Sequence, residues 1–154
     1  MSGRHPAIVA PADALQALRR SRDTYGARRA THPMIPGVAF ASETERDRAG
    51  DLLALALDGT IVDLRWHPAY TLSDRPSCRV TFDSFYVERT RLRRGRSTEV
   101  VGQEMWVEDV KPARGPISRD FRVRALWFRQ LHPDIRVRVV KRGRGGAFDV
   151  ASEF

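Results

Sequence analysis

The chain has 154 residues, 42% hydrophobic and 30% charged, which describes one globular domain with a core of its own. A formal net charge of +8 favours a polyanionic partner, and nucleic acid is the simplest one. The sequence has no long apolar run and no signal-peptide core, and its single cysteine cannot form an intramolecular disulfide. We therefore expect a cytoplasmic protein with no membrane partner.

Composition divides the chain into three segments. Residues 1–37 form a basic extension interrupted by prolines, with a short helix predicted over residues 12–22 after Pro11. Residues 38–142 form the folded domain. Residues 143–154 begin with a glycine-rich run and are predicted to be a flexible tail.

The folded domain begins with a helix predicted over residues 42–57. Ser42 at its N-cap and Glu45 three residues later form a capping box, in which each side chain accepts a hydrogen bond from the backbone N–H of the other residue. Asp58 and Gly59 end the helix. Its buried side is predicted to consist of Leu52, Leu53, Leu55, Ala56 and Leu57.

Two strands are predicted next. The first covers residues 61–72 and is kinked at Pro68. The second covers residues 78–88, where apolar and polar side chains alternate with the period of two that is typical of a half-buried strand.

The remaining elements complete the domain. Residues 89–97 are predicted to be a polar connector, and residues 100–111 a third strand that is interrupted near Gly102. An amphipathic helix follows over residues 117–131, and the strict alternation of residues 135–140 predicts a fourth strand. The apolar part of this helix is predicted to contain Phe121, Leu126, Trp127 and Leu131.

These elements predict an α/β fold in the order helix, strand, strand, strand, helix, strand. The first three strands can form an antiparallel meander. The last strand follows a helical crossover, so it is expected to pair parallel to an earlier one. The predicted architecture is a mixed four-stranded central sheet flanked by helices.

The use of lysine singles out one strand end. Only two of the 27 basic residues are lysines, and one of them, Lys111, follows Asp109 by two positions. Arginine is a permanently charged planar fork, whereas lysine is a compact ammonium, so a lysine here indicates a task that arginine performs poorly. Side chains two apart share a face of a strand. A carboxylate beside an ammonium can hold a metal ion and orient water for phosphodiester hydrolysis, although an exposed ion pair is the structural alternative.

Two further acids lie on separate predicted elements. Glu45 is in the first turn of a helix, and Asp83 is inside a strand, opposite Val80 and Phe82. Hard divalent ions such as Mg²⁺ require carboxylate oxygens from several elements. The structural alternatives are helix capping for Glu45 and solvent exposure for Asp83. The four histidines show no paired metal-ligand spacing, so zinc is not expected.

The domain carries five sequence blocks, namely residues 40–45, 59–64 with Pro68, 82–86, 107–111 and 121–124. Their order and spacing resemble those of a small phage-encoded group of PD-(D/E)XK nucleases. The resemblance covers residues 38–142, which would form the nuclease domain. It implies the restriction-endonuclease-like fold, a mixed sheet flanked by helices.

Carried over residue by residue, the resemblance implies that Glu45, Asp83, Asp109 and Lys111 are catalytic. It implies Mg²⁺, or Mn²⁺ in its place, held by Asp83, Asp109 and the carbonyl of Val110, with Glu45 bound directly or through water. Lys111 would orient the attacking water and offset charge that develops on the phosphate.

The chain departs from the pattern of this group at two positions. His67 precedes Pro68 where the group often has glutamine, and Arg124 stands where lysine is usual. Neither departure removes a metal ligand. Glu108 belongs to the motif but is expected to point to the other face of its strand, so it is assigned a secondary role.

The resemblance implies a metal-dependent DNA endonuclease that hydrolyses phosphodiester bonds in branched recombination intermediates such as Holliday junctions. It would act in the bacterial host cell if phage-encoded. Symmetric cutting of two strands favours a homodimer. Two alternatives remain open: the endonuclease subunit of a heteromeric transposase, which shares this layout of acids and lysine, and a basic nucleic-acid-binding protein without catalytic activity.

Two groups of arginines are candidates for contact with branched or duplex DNA. A solvated hairpin loop is the structural alternative for the first group. That group consists of Arg89, Arg91, Arg93, Arg94 and Arg96, and the second, on the later helix, consists of Arg119, Arg122, Arg124 and Arg129.

Overall fold

The computed structural model describes residues 29–154, so the helix predicted over residues 12–22 lies outside the described residues. Within them the chain forms nine strands and two helices. In chain order these are β1 (Ala30–His32), β2 (Ile35–Phe40), α1 (Glu43–Leu57), β3 (Ile61–Trp66), β4 (Ala69–Asp74), β5 (Ser77–Thr81), β6 (Ser84–Arg94), β7 (Ser97–Lys111), α2 (Arg119–Leu131), β8 (Ile135–Arg142) and β9 (Phe148–Glu153).

The centre of the fold is a five-stranded sheet in the order β3-β6-β7-β8-β9. Strands β7 and β8 are parallel, and all other neighbours are antiparallel. The prediction of an α/β fold with a mixed sheet is therefore confirmed. The prediction of four strands is wrong, because the sheet contains a fifth strand.

Two of the predicted strands are each divided into two. The first breaks at His67, whose φ of 50° turns the chain between β3 and β4. The second breaks at Asp83, between β5 and β6. Strands β4 and β5 then pair only with each other, as a separate two-stranded sheet. The sequence pattern alone did not reveal these breaks, because apolar and polar residue types continue to alternate along the sequence across them.

The predicted polar connector over residues 89–97 is mostly strand. Strands β6 and β7 stay paired as far as Arg94 and Ser97. The interruption expected near Gly102 is a bulge: Thr90 pairs with Gly102 and Arg91 with Val100, which leaves one extra residue in β7. The charged side chains suggested a loop, but they are compatible with a strand because this part of the ribbon is exposed.

The tail predicted to be flexible contains β9, which pairs antiparallel with β8 at the sheet edge. Residues 143–146 form a turn, closed by a hydrogen bond of 2.7 Å from the Gly143 N–H to the Ala147 carbonyl. After this turn, Phe154 exchanges two backbone hydrogen bonds with Val137 and packs against the core. The glycine-rich run is therefore a tight hairpin turn, and the prediction of a flexible tail is corrected.

The two helices cover opposite faces of the sheet. Phe85 and Val107 belong to the cluster packed by α2, whereas their neighbours Tyr86 and Trp106 belong to the cluster packed by α1. Successive residues of a strand point to opposite faces, so both faces of β6 and β7 are buried near the middle of the sheet. No helix within residues 29–154 is long and apolar enough to cross a membrane.

The buried faces of both helices agree only in part with those predicted, since Leu52 and Phe121 are buried as expected. Helix α1 buries Ala49 and Leu52, whereas Leu57 is 77% exposed. Helix α2 buries Phe121, Ala125 and Phe128. The predicted core positions Leu126 and Leu131 are exposed. Each helix contacts the sheet along a narrower stripe than its apolar residues suggest, so some of them remain on the surface.

Strand β9 generates a test of stability. We expect Phe154→Ala to lower the free energy of unfolding by about 1–2 kcal/mol, because a half-buried aromatic side chain loses its contacts with the core. Chemical denaturation of wild type and variant measures this difference. The control is Val150→Thr, at an exposed position of the same strand, and it should change stability little. Phe148 is less suitable as a control position because its ring also contacts two arginines. Equal stability of Phe154→Ala and wild type would mean that the tail is not part of the fold.

Candidate functional site

Asp83 lies in the break between β5 and β6 and is held by backbone contacts to two other elements. Its N–H donates to the carbonyl of Glu108 at 2.9 Å, and its carbonyl accepts from the N–H of His67 at 3.0 Å. Its carboxylate Oδ2 accepts from the N–H of Val110 at 2.6 Å. These contacts place the side chain beside the C-terminal end of β7.

Asp109 and Lys111 lie together at that end of β7. Asp109 Oδ2 is 2.6 Å from Lys111 Nζ, and the ammonium also lies 4.3 Å from the centre of the Phe121 ring. The expectation that the two side chains share a face is thus confirmed. Asp109 Oδ2 is buried, and the Lys111 ammonium is its ion-pair partner within residues 29–154. A buried carboxylate oxygen in this state has capacity for a further cation.

Glu45 approaches the same place from α1. Its N–H donates to the Ser42 hydroxyl at 3.1 Å, and its Oε2 accepts from the N–H of Ala41 at 2.9 Å, so the capping box is present with its reciprocal bond one residue earlier than expected. The other oxygen, Oε1, lies 2.7 Å from His67 Nε2. Glu45 therefore fixes the start of the helix and also faces the acids of the sheet.

The acids disturb one another electrostatically. Burial raises the pKa of Asp83 well above its usual range, and the negative charges of Asp109 and Glu45 raise it further, against the Val110 N–H and Lys111. Burial also raises the pKa of Asp109, although the adjacent Lys111 opposes this shift. Two neighbouring carboxylates with raised pKa values form a site where a bound cation would be stabilised.

The donor atoms are suited to a divalent ion. One ligand atom each from Glu45, His67 and Asp83 lies within 4.8 Å of the others. Asp109 is outside this group of three but is close enough to shift the pKa of Asp83. Carboxylate oxygens from a helix, a strand and the break between two strands are the donors that Mg²⁺ and Mn²⁺ prefer, so the residues fit the ion implied by the resemblance. Val110 contributes its N–H to Asp83, and the role of its carbonyl stays a prediction.

Sequence reasoning missed the part played by His67. His67 was noted only as a departure from the pattern of the resembling group. The spacing of the histidines was used only to argue that a zinc site is not expected. The structure places His67 against Glu45 because the chain turns there, with a φ of 50°. Its partners come from other elements, so spacing between histidines could not reveal them. A histidine directly before Pro68 at the end of a strand was the available signal.

Sequence reasoning also understated Glu108, which does point to the other face of β7. It is fully buried, and Arg48 of α1 pairs with both of its oxygens, at 2.6 and 2.9 Å. The Tyr86 hydroxyl donates to Oε2 at 2.8 Å. A paired, hydrogen-bonded ion is the form in which a buried charge is tolerated. This contact joins α1, which carries Glu45, to β7, which carries Asp109.

The first group of arginines lies on a ribbon of two strands. Beyond Glu88 and Met105, β6 and β7 pair only with each other, since β3 and β8 begin opposite these two residues. We call residues 89–104 the arm. Its tip at Arg94 is eleven residues from Asp83, or roughly 36 Å along an extended strand. All five arginines of the group are on the arm, which also exposes Leu92, Val100 and Val101.

The second group divides into exposed and paired arginines. Arg119 and Arg122 are exposed in the first turns of α2, the same part of the helix that carries Phe121 beside Lys111. Arg124 pairs with Asp120 at 2.7 Å. Arg129 donates to the carbonyls of Pro133 and Ile135, so it holds the loop after the helix.

A scan against protein-family models, a search of curated proteins and a search of solved structures each found no match to this chain. The function is therefore argued from the site itself.

The raised pKa of Asp83 generates a prediction about stability. The folded protein binds the proton of Asp83 more tightly than the unfolded chain, so stability falls as pH rises from about 4, the ordinary aspartate pKa, through the raised value. We expect Asp83→Asn to be more stable than wild type at pH 7 and similar to it at pH 3.5. Thermal unfolding at both values measures the difference.

The control for this prediction is Asp149→Asn, a change at an exposed carboxylate outside the site. It should not raise stability at either pH. A lower stability of Asp83→Asn at pH 7 would mean that the charged form of Asp83 is favoured in the fold, which contradicts the crowding of acids described above.

Proposed function

We propose that this protein is a metal-dependent endonuclease that hydrolyses phosphodiester bonds in DNA, with a fold and site of the PD-(D/E)XK type. The observation that carries the proposal is the joint position of Asp83 and the Asp109–Lys111 pair at one end of β7. Two acids and one ammonium from separate segments meet there. Lys111 forms an ion pair with Asp109, and Asp83 forms none within residues 29–154.

The residues proposed to hold the ion are Asp83, Asp109 and Glu45. When bound, Mg²⁺ or Mn²⁺ would supply Lewis-acid chemistry, polarising a phosphate and making water a better nucleophile. The protein's own contribution is placement: the bond from Val110 orients Asp83, and the capping contact to Ala41 orients Glu45. Such fixed orientation lowers the cost of gathering ligands around one ion.

Lys111 is proposed to orient the attacking water and to offset charge on the scissile phosphate. Asp109 on one side and the Phe121 ring on the other restrict the ammonium to a small volume. Preorganised positive charge aimed at a developing oxyanion is among the largest contributions to catalysis. The exposed Arg119 and Arg122, in the first turns of the helix that carries Phe121, are proposed to bind neighbouring phosphates.

The arm is proposed to hold DNA away from the site of cleavage. A two-stranded ribbon fits the major groove, and arginines along it would contact phosphates on either side. The roughly 36 Å between Asp83 and the tip is about one turn of duplex DNA. Contacts at both ends would therefore fall on the same side of a duplex. Branched DNA and a homodimer, which would place two sites on two strands, are part of this proposal.

Cleavage assays test the proposal. Purified protein is incubated with supercoiled plasmid and with four-way junctions, in Mg²⁺, in Mn²⁺ and in EDTA. Metal-dependent cutting that Asp83→Asn abolishes would support it. Junction binding without cutting in any metal would instead support the alternative of a non-catalytic binder. The net charge and the exposed arm are the observations that favour this alternative.

The position of Lys111 generates a prediction about activity. We expect Lys111→Arg to lose cleavage nearly as fully as Lys111→Ala, by roughly a hundredfold or more, because the planar guanidinium keeps the charge but cannot take the place of a compact ammonium. Initial rates on plasmid measure the loss. Lys141→Arg is the matched control, at the other lysine of the chain, and should retain activity. Wild-type rates for Lys111→Arg would refute a catalytic lysine.

The arm generates a prediction about binding. Replacing Arg91, Arg93 and Arg94 together by alanine should weaken junction binding and flatten the dependence of affinity on salt by roughly one unit per lost phosphate contact. Binding across a salt series, in an Asp83→Asn background that prevents cutting, measures the slope.

A charge-matched control separates contact from net charge. It replaces the exposed Arg75, Arg79 and Arg144, which lie outside the arm, by alanine. A slope that changes equally in both triple variants would show that the arm is not a specific DNA contact. Cutting at saturating DNA should survive in the arm variant, since none of its residues touches the acids.

A further inference from the structure

We propose that His67 is a direct ligand of the metal ion and that the site therefore selects Mn²⁺, or another transition-metal ion of the same charge, over Mg²⁺. The inference rests on the metal site of the proposed function and adds a nitrogen donor to it. It assigns a ligand at the position where the resembling nuclease group often has glutamine.

The geometry of three donors supports one shared ion. Ligand atoms of Glu45, His67 and Asp83 lie within 4.8 Å of one another. Two donors about 2.1 Å from a common ion can be at most about 4.2 Å apart, so rotations that close the group by roughly half an ångström would suffice. Glu45 and His67, at 2.7 Å, are already closer than that limit.

A second observation is a buried hydroxyl beside two of these donors, Glu45 and Asp83. Ser84 is 2% exposed, and its Oγ makes no hydrogen bond to any residue in 29–154. Ser84 lines a small cavity together with Glu45, Asp83, Val110 and the Arg48 side chain, and His67 lies outside this lining. A buried hydroxyl requires a partner, and water bound to an ion in this cavity would provide one.

The backbone holds His67 in place before any ion binds. Its N–H donates to the carbonyl of Asp83 at 3.0 Å, and its φ of 50° turns the side chain out of the line of β3. The ring also packs against Phe40, with centres 5.8 Å apart. The imidazole and the Asp83 carboxylate therefore belong to segments that are bonded directly to each other, so both side chains start from neighbouring backbone positions.

The nature of the donors decides which ion is favoured. Mg²⁺ and Ca²⁺ bind oxygen ligands, and Mg²⁺ sheds its water reluctantly. An imidazole nitrogen suits transition-metal ions, whose affinities rise from Mn²⁺ through later members of the series. With mainly carboxylate partners from Asp83 and Glu45, one nitrogen favours Mn²⁺ over Mg²⁺ without creating a zinc site of histidines and cysteines.

The competing explanation is that His67 only orients Glu45 through their hydrogen bond. An orienting partner and a direct ligand differ in two measurable ways. Loss of an orienting partner weakens the binding of Mn²⁺ and of Mg²⁺ together, by roughly ten- to a hundredfold. Loss of a nitrogen ligand lowers the preference for Mn²⁺ over Mg²⁺ and removes nitrogen from the coordination shell.

The experiment uses the untagged full chain loaded with Mn²⁺ and pulsed electron paramagnetic resonance. Wild type should show nitrogen modulation from a bound imidazole, and His67→Gln should not. Gln keeps an N–H donor for Glu45 but offers no imidazole. His132→Gln, at the far end of α2, is the matched control and should keep the modulation. Titrations of both ions should show the ratio of Mn²⁺ to Mg²⁺ affinity falling at least roughly tenfold in His67→Gln only.

The outcomes separate this inference from the proposed function. Modulation that is lost only in His67→Gln, with the lowered ratio, would support a direct ligand. Bound Mn²⁺ without nitrogen modulation in wild type, or an unchanged ratio, would overturn it, and metal-dependent cleavage would still stand. If Mn²⁺ binding is not weakened by Asp83→Asn, the inference is overturned as well, and the cleavage assay in Mg²⁺ then judges the proposed function independently.

Discussion

The site depends on the attachment of Asp83 to β7. Its backbone N–H bonds to Glu108 and its carboxylate accepts from Val110, at 2.9 and 2.6 Å. These two contacts bracket Asp109, so they hold the backbone and the carboxylate of Asp83 beside that acid. The same residue bonds to His67 through its carbonyl, which brings the turn after β3 to this place. Every other donor is arranged around this junction of three segments.

The acids on the two faces of β7 differ in how their charges are compensated. Glu108 on one face is neutralised by the two-point contact of Arg48 and by the Tyr86 hydroxyl. Asp109 on the other face has Lys111 beside it but shares its surroundings with further carboxylates. The pair links α1 to the sheet, and loss of either partner would leave an uncompensated buried charge. Acids with one cation between them keep a raised pKa and the capacity to bind a second cation, which suits chemistry.

The arrangement also separates the acids from the exposed arginines. The acids lie at the end of β7 where both faces of the sheet are covered, whereas the arm extends beyond β3 and β8 with solvent around it. Carboxylates repel phosphate, so a nucleic-acid partner would be attracted first by the arm and by the start of α2. A two-stranded ribbon without further strands is also among the least stable parts of a fold, which allows it to adjust to a curved surface.

The sequence by itself determined the α/β class, the capped start of α1, the parallel crossover to β8 and the shared face of Asp109 and Lys111, because these depend on local periodicity and on short-range rules. Only the tertiary structure decided that the chain breaks at His67 and Asp83, and that residues 148–153 join the sheet. Breaks and edge strands depend on backbone bonds between distant segments, which leave alternation unchanged. The meeting of His67 with Glu45 is of the same kind, since it joins a turn and a helix 22 residues apart in sequence.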